Sequence, residues 1–158
     1  MAAVSTAIAI AAALFAASVS SLEACECFPK QPLPEARASA SSLFVGYPIL
    51  MRLEQAPIRV TPPPREVTVP TIYVQFRVLT VWKGVEEPLL WVRTNLDSRA
   101  CGYDFTIGRS YLVYATESSG SLWTGVCGRT EAESHAKEDI DALGPPHRTY
   151  PDPGQPWR

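Results

Sequence analysis

Ile72-Tyr73-Val74-Gln75-Phe76-Arg77-Val78-Leu79-Thr80-Val81-Trp82 places apolar side chains at Ile72, Val74, Phe76 and Val78 and sets Tyr73, Gln75 and Arg77 between them. A period of two puts each set on one face of an extended chain, so one face is core and the other partly wet. Lys83-Gly84 turns this strand, and after Glu86-Glu87-Pro88 the run Leu89-Leu90-Trp91-Val92-Arg93-Thr94 returns as its neighbour.

Working outward, residues 57–70, with Pro62-Pro63-Pro64 at their centre, read as a stiff loop or ribbon. Before them Leu43-Phe44-Val45-Gly46-Tyr47-Pro48-Ile49-Leu50 is a first strand, with a bend or bulge at Gly46 and an edge position forced by Pro48. Residues 35–42 are Ala- and Ser-rich enough for two helical turns, and the three prolines in 28–34 make a surface connection. Downstream, 95–100 is a polar connection into Cys101-Gly102-Tyr103-Asp104-Phe105. Further strands are expected at 110–115 and 122–127, separated by Ser118-Ser119-Gly120. Five short strands at close spacing predict an all-β-dominated small barrel or sandwich. Ala132, Ala136, Ile140 and Leu143 fall at helical spacing within 130–143, Gly144-Pro145-Pro146 stops that helix, and 144–158 is expected to be an unpacked Pro-rich tail.

The N-terminus reads as an address. No charged side chain occurs in 1–22, residues 7–19 are almost wholly Ala, Ile, Leu, Phe and Val, and Ala24 offers a small residue for cleavage. That pattern predicts a signal peptide at 1–24 and a secreted chain. Two alternatives share it: a retained signal anchor, and a lipobox at Leu22-Glu23-Ala24-Cys25, into which Glu23 fits poorly. The formal net charge of −2 gives no electrostatic reason to expect nucleic acid or an anionic membrane surface.

Cys25, Cys27, Cys101 and Cys127 all lie beyond the leader. An even count in an exported chain predicts two disulfides. Pairing Cys25 with Cys27 would close too tight a ring, which leaves two ways of making two long-range cross-links. A structural zinc site is the weaker reading, since no Cys-x-x-Cys occurs and only His135 and His147 could assist. An enzyme fits worse still. Cys25 as a nucleophile needs a free thiol and a base, His135 and His147 lie in charged or Pro-rich surroundings, and Asp104 lacks a partner carboxylate and suits a turn cap. Trp82, Trp91, Phe76 and Phe105 are expected to fill the barrel.

Taken in order, Cys25-Glu26-Cys27 after a signal, Phe44-Val45-Gly46, Phe76-Arg77-Val78-Leu79-Thr80-Val81-Trp82-Lys83-Gly84, Cys101-Gly102-Tyr103-Asp104-Phe105 with Gly108, Tyr111-Leu112-Val113-Tyr114-Ala115 and Thr124-Gly125-Val126-Cys127 form a set. It resembles the netrin-like inhibitory domain of the tissue inhibitors of metalloproteinases. The resemblance covers residues 25–143 and implies a five-stranded OB-fold barrel with flanking short helices, stapled by Cys25–Cys101 and Cys27–Cys127. It implies that the α-amine and carbonyl of Cys25, freed by cleavage, chelate the catalytic zinc of a target metalloendopeptidase. Glu26 would lie at the mouth of that enzyme's specificity pocket. The protein would have no cofactor of its own, and would act as a secreted monomer without nucleic acid or, after cleavage, membrane as partner. Inhibitors of matrix metalloproteinases usually carry a small hydroxyl residue where Glu26 stands, and a buried unpaired carboxylate is costly. The third disulfide and second domain of vertebrate members have no counterpart in these residues. The alternative is a non-inhibitory extracellular netrin-like binding module.

Overall fold

The computed structural model describes residues 25–60 and 62–154. The expected signal peptide, 1–24, lies outside the described residues. Seven strands are present among those residues: β1 (Ser42–Val60), β2 (Arg65–Lys83), β3 (Leu89–Asn95), β4 (Tyr111–Ser118), β5 (Ser121–Trp123), β6 (Glu131–Ala132) and β7 (Arg148–Thr149). Two short helices, α1 (Leu33–Ser39) and α2 (Lys137–Leu143), complete the regular elements together with 3₁₀ turns at Ser98–Ala100 and Glu133–His135.

Five strands form a ring, β1-β2-β3-β5-β4, closed by pairing of β4 with β1. All ring pairings are antiparallel except β3 with β5, where Val92 lies opposite Leu122. Closure depends on β1, which pairs with β2 along most of its length and also with β4 through Ser42–Gly46. Register shifts at Leu43/Phe44, Val45/Gly46 and Pro48/Leu50 bend it. Gly46 is required at the second of these, because a Cβ there would collide with the Arg77 carbonyl.

The alternation in β2 does what its pattern predicts. Val74, Phe76 and Val78 are fully buried inside the ring with Phe44, Val92, Tyr111 and Val113, and each such side chain contributes about 1.5–3 kcal/mol by leaving water. Phe105 joins them edge-on to Phe76, with ring centroids 5.1 Å apart. Trp82 and Trp91 do not fill the ring. Trp82 packs outside it with Leu43, Val45, Leu112, Tyr114 and Leu143 under the two helices, and Trp91 lies half-buried beneath the Arg52 guanidinium, 4.4 Å from its ring centroid. Both faces of β4 and of the start of β1, Leu43 to Val45, are therefore covered, one by the ring interior and one by α1 and α2.

One expectation narrows and three change. Residues 57–70 are the ribbon alternative in regular form: β1 and β2 continue as a hairpin to Val60 and Arg65. The helix expected over 130–143 starts only at Lys137, because Ala132 is engaged by β4 opposite Tyr111 and the Thr130 hydroxyl accepts from the Tyr114 amide at 3.0 Å. The strand expected at 122–127 ends at Trp123 for the same reason, its next residue donating its hydroxyl to the Tyr114 carbonyl at 2.9 Å. The tail expected to be unpacked is packed as far as it is described. β3 stops opposite Arg77, the Val78 amide then donates to the Pro88 carbonyl at 2.9 Å, and beyond it β7 takes the same edge of β2: His147 donates to the Val81 carbonyl and Tyr150 to that of Leu79, each at 2.7 Å.

Candidate functional site

The site is built where two loops meet the start of the described chain. Cys25 is bonded to Cys101 and Cys27 to Cys127, each pair with Cα atoms 5.1 Å apart. In the chain-entropy treatment, loops of this length are each worth about 4.5 kcal/mol, before strain and non-additivity reduce the sum. The two bridges stack, with the Cys25 sulfur 3.3 Å from that of Cys127.

Each loop has a local reason for its shape. Asp97 caps the Ser98–Ala100 turn by accepting from the Ala100 amide at 3.1 Å, and that bond together with Arg99 holds its carboxyl below the usual range. Cys101 follows in the left-handed region with φ 62°, and a Cβ on Gly102 would strike the carbonyls of Asn95 and Asp97. On the other loop Gly125 has no room for a Cβ against the Cys101 carbonyl, which also accepts from the Val126 amide at 3.2 Å. The loops thus interlock through backbone before the disulfides are counted.

The segment they hold is tied at both ends. The Cys25 nitrogen donates to the Arg99 carbonyl at 3.1 Å, while the Cys25 carbonyl accepts no hydrogen bond from the described residues. At the other end Arg129 makes a two-pronged ion pair with Asp139 on α2 and donates through Nη1 to the Gln31 carbonyl at 2.8 Å. Tyr114 lies against the same carboxylate, and burial followed by the Asp139 charge pushes its phenol up to about 12. Between these ties Glu26 and Cys27 are exposed, and Phe28 is 92% exposed. An open groove of about 340 Å³ lies between the two loops, bounded by Lys30, Ser98, Tyr103, Val126 and Glu131.

The structure therefore brings Cys25, Glu26, Cys101 and Cys127 to one place. Three sulfurs, of Cys25, Cys27 and Cys127, lie within 4.8 Å of one another, but all are committed to disulfides and leave no thiolate for a metal. His135 is exposed, 3.9 Å from Glu131, and His147 is exposed ahead of β7; neither reaches the cysteines' loops through any described bond. Asp104 is exposed and its side chain caps nothing among the described residues.

Phe28, Arg129 and Asp139 were not legible as site residues. Phe28 sits in a Pro-rich connection, and its signal was an aromatic placed directly after a pinned Cys-x-Cys. Arg129 and Asp139 are ten residues apart in a charged stretch that reads as a solvated helix face.

No family model matches this chain, and no curated protein matches it. Among the described residues no helix is long and apolar enough to cross a membrane.

Proposed function

We propose that this protein is a secreted inhibitor of zinc metalloendopeptidases that acts through Cys25 once residues 1–24 are removed. The observation that carries the reading is the immobilised Cys25 unit, held by one disulfide directly, a second two residues on and the Arg99 carbonyl, with its own carbonyl unengaged by the described residues. In the chain as it stands that nitrogen is an amide. Cleavage after Ala24 turns it into an amine, which can keep one N–H on Arg99 and still direct a lone pair outward.

A catalytic zinc with three protein ligands keeps one position for water, and an amine–carbonyl pair from one residue can occupy it. The amine must bind neutral. Its ordinary pKa near 8 makes proton loss a small cost, and the metal favours it. Because the chelating atoms are already fixed, little ordering entropy is lost on docking. Glu26 then enters the target's specificity pocket, which selects enzymes with a polar or basic pocket, and the exposed Phe28 ring lies against the target beside it. The five-membered ring of strands with its parallel β3–β5 pair supports an OB-fold, a five-stranded partly open Greek-key barrel. The protein needs no catalytic residue and no cofactor of its own.

The second reading, a non-inhibitory binding module, is favoured by Glu26, whose exposed carboxylate replaces the usual small hydroxyl. Expressing the chain with a native Cys25 start, and again with one additional Ala before it, separates the two on a panel of zinc endopeptidases. The native start is expected to inhibit at least one enzyme and the extension to abolish this. Glu26→Thr is expected to move inhibition toward enzymes with apolar pockets. Equal potency of the native and extended forms removes chelation as the mechanism.

A further inference from the structure

Beyond Pro48, whose carbonyl accepts from the Gly108 amide, the outer edge of β1 meets no backbone partner among the described residues. From Leu50 onward its register with β2 runs without interruption, so this part of the edge is regular and free of bulges. Pro48 and Pro57 lack an N–H and bracket it, which confines any pairing to the segment Leu50-Met51-Arg52-Leu53-Glu54-Gln55-Ala56. An open edge of this kind is a template for another strand.

We propose that this edge pairs antiparallel with the same edge of a second copy, about a two-fold axis at Leu53. Paired residues in a sheet must share a face, so a strand pairing with itself has to be centred on a residue. Centring on Arg52 sets Arg52 opposite Arg52, and centring on Glu54 sets Glu54 opposite Glu54; like charges directly opposed are destabilising. Centring on Met51 sets Arg52 and Glu54 opposite Leu50 and Pro48, and centring on Gln55 sets them opposite positions 58 and 56, an isoleucine and an alanine. Centring on Leu53 alone places Arg52 of each copy opposite Glu54 of the other.

Those two side chains are already prepared for it. Arg52 and Glu54 lie on the same face 3.1 Å apart, their side chains are about half exposed, and Arg52 is held over the Trp91 ring. Two copies would form an alternating ring of four charges on that face. On the opposite face Leu53 is 60% exposed and lines, with Met51, Ile72 and Leu96, an open cavity of about 280 Å³ that Arg52 and Asp104 also border. Pairing at Leu53 sets the two leucines against each other and covers part of this surface. An edge of seven residues falls short of the roughly 1,200–2,000 Å² of a tight interface, so the dimer is weak, with a dissociation constant on the order of 100 μM. It replaces the monomer expected from the sequence and does not depend on the inhibitory reading.

Sedimentation velocity on the disulfide-bonded protein, from about 10 μM to about 1 mM, tests it. The wild type is expected to dimerise with concentration. Glu54→Arg, which leaves Arg52 on Trp91, is expected to weaken association at least about tenfold, and Arg52→Glu to do the same. The double exchange Arg52→Glu/Glu54→Arg restores the opposed charges and is expected to restore association. Thermal melts of each variant confirm that the monomer is folded. A wild type that stays monomeric, a Glu54→Arg variant that dimerises as well as the wild type, or a folded double exchange that remains monomeric overturns the proposal.

Discussion

At the scale of single residues, the N-terminal segment is positioned by a carboxylate and a guanidinium that touch no cysteine. Arg129 joins Gln31 to α2 through Asp139, and Tyr114 backs the same carboxylate from the side of the sheet. Burial and that negative charge hold the Tyr114 phenol neutral up to about 12, against an ordinary value near 10. A raised folded-state pKa gives a contribution that is complete below the unfolded value and is lost as pH climbs through the folded one. Stability is therefore expected to fall between pH 10 and 12, with Tyr103, also raised to about 12 by burial and by Glu131, adding to the loss. Urea midpoints measured across that window should decline less steeply in Tyr114→Phe, and an unchanged slope would contradict this account of the Tyr114 environment.

At the scale of elements, what the sequence showed and what it hid have one cause. β2 was legible because its two faces differ in environment, which writes a period of two into its side chains. β6 and β7 were not, because two residues cannot show a period, and the strand expected at 122–127 meets β5 only at Leu122 and Trp123. Their pairing is set by backbone groups left free on longer strands, a property of the partner and not of the segment itself. The prolines of the tail misled for a related reason. They exclude a helix and an inner strand, but they do not prevent His147 and Tyr150 from donating to β2. Ending the chain at Pro146 removes those two bonds and the partly buried Tyr150 ring, and is expected to cost about 2–3 kcal/mol in chemical unfolding. A loss of less than about 0.5 kcal/mol would show that β7 does not hold.

At the scale of the whole molecule, the cysteines were legible as two long-range bridges from count and compartment, but their pairing was open without the family resemblance. Four sulfurs crowded this closely do not declare partners by spacing. The Cys101 side chain is directed by an αL turn, and the Cys101 carbonyl in turn leaves no room for a Cβ on Gly125 in the loop that carries Cys127, a contact between segments far apart in sequence. Likewise Trp82 and Trp91 read as ring-filling from their alternation, whereas closure of the ring puts one under the helices and the other under Arg52. In the proposed inhibition, closure and cross-linking together present one backbone unit, the nitrogen and carbonyl of Cys25, to another protein's metal. The most direct measurement is a crystal structure of the processed protein with an endopeptidase it inhibits. Both Cys25 atoms are expected at about 2.0–2.3 Å from the catalytic zinc, with its water displaced. A complex that leaves the zinc-bound water in place and Cys25 away from the metal would contradict the account.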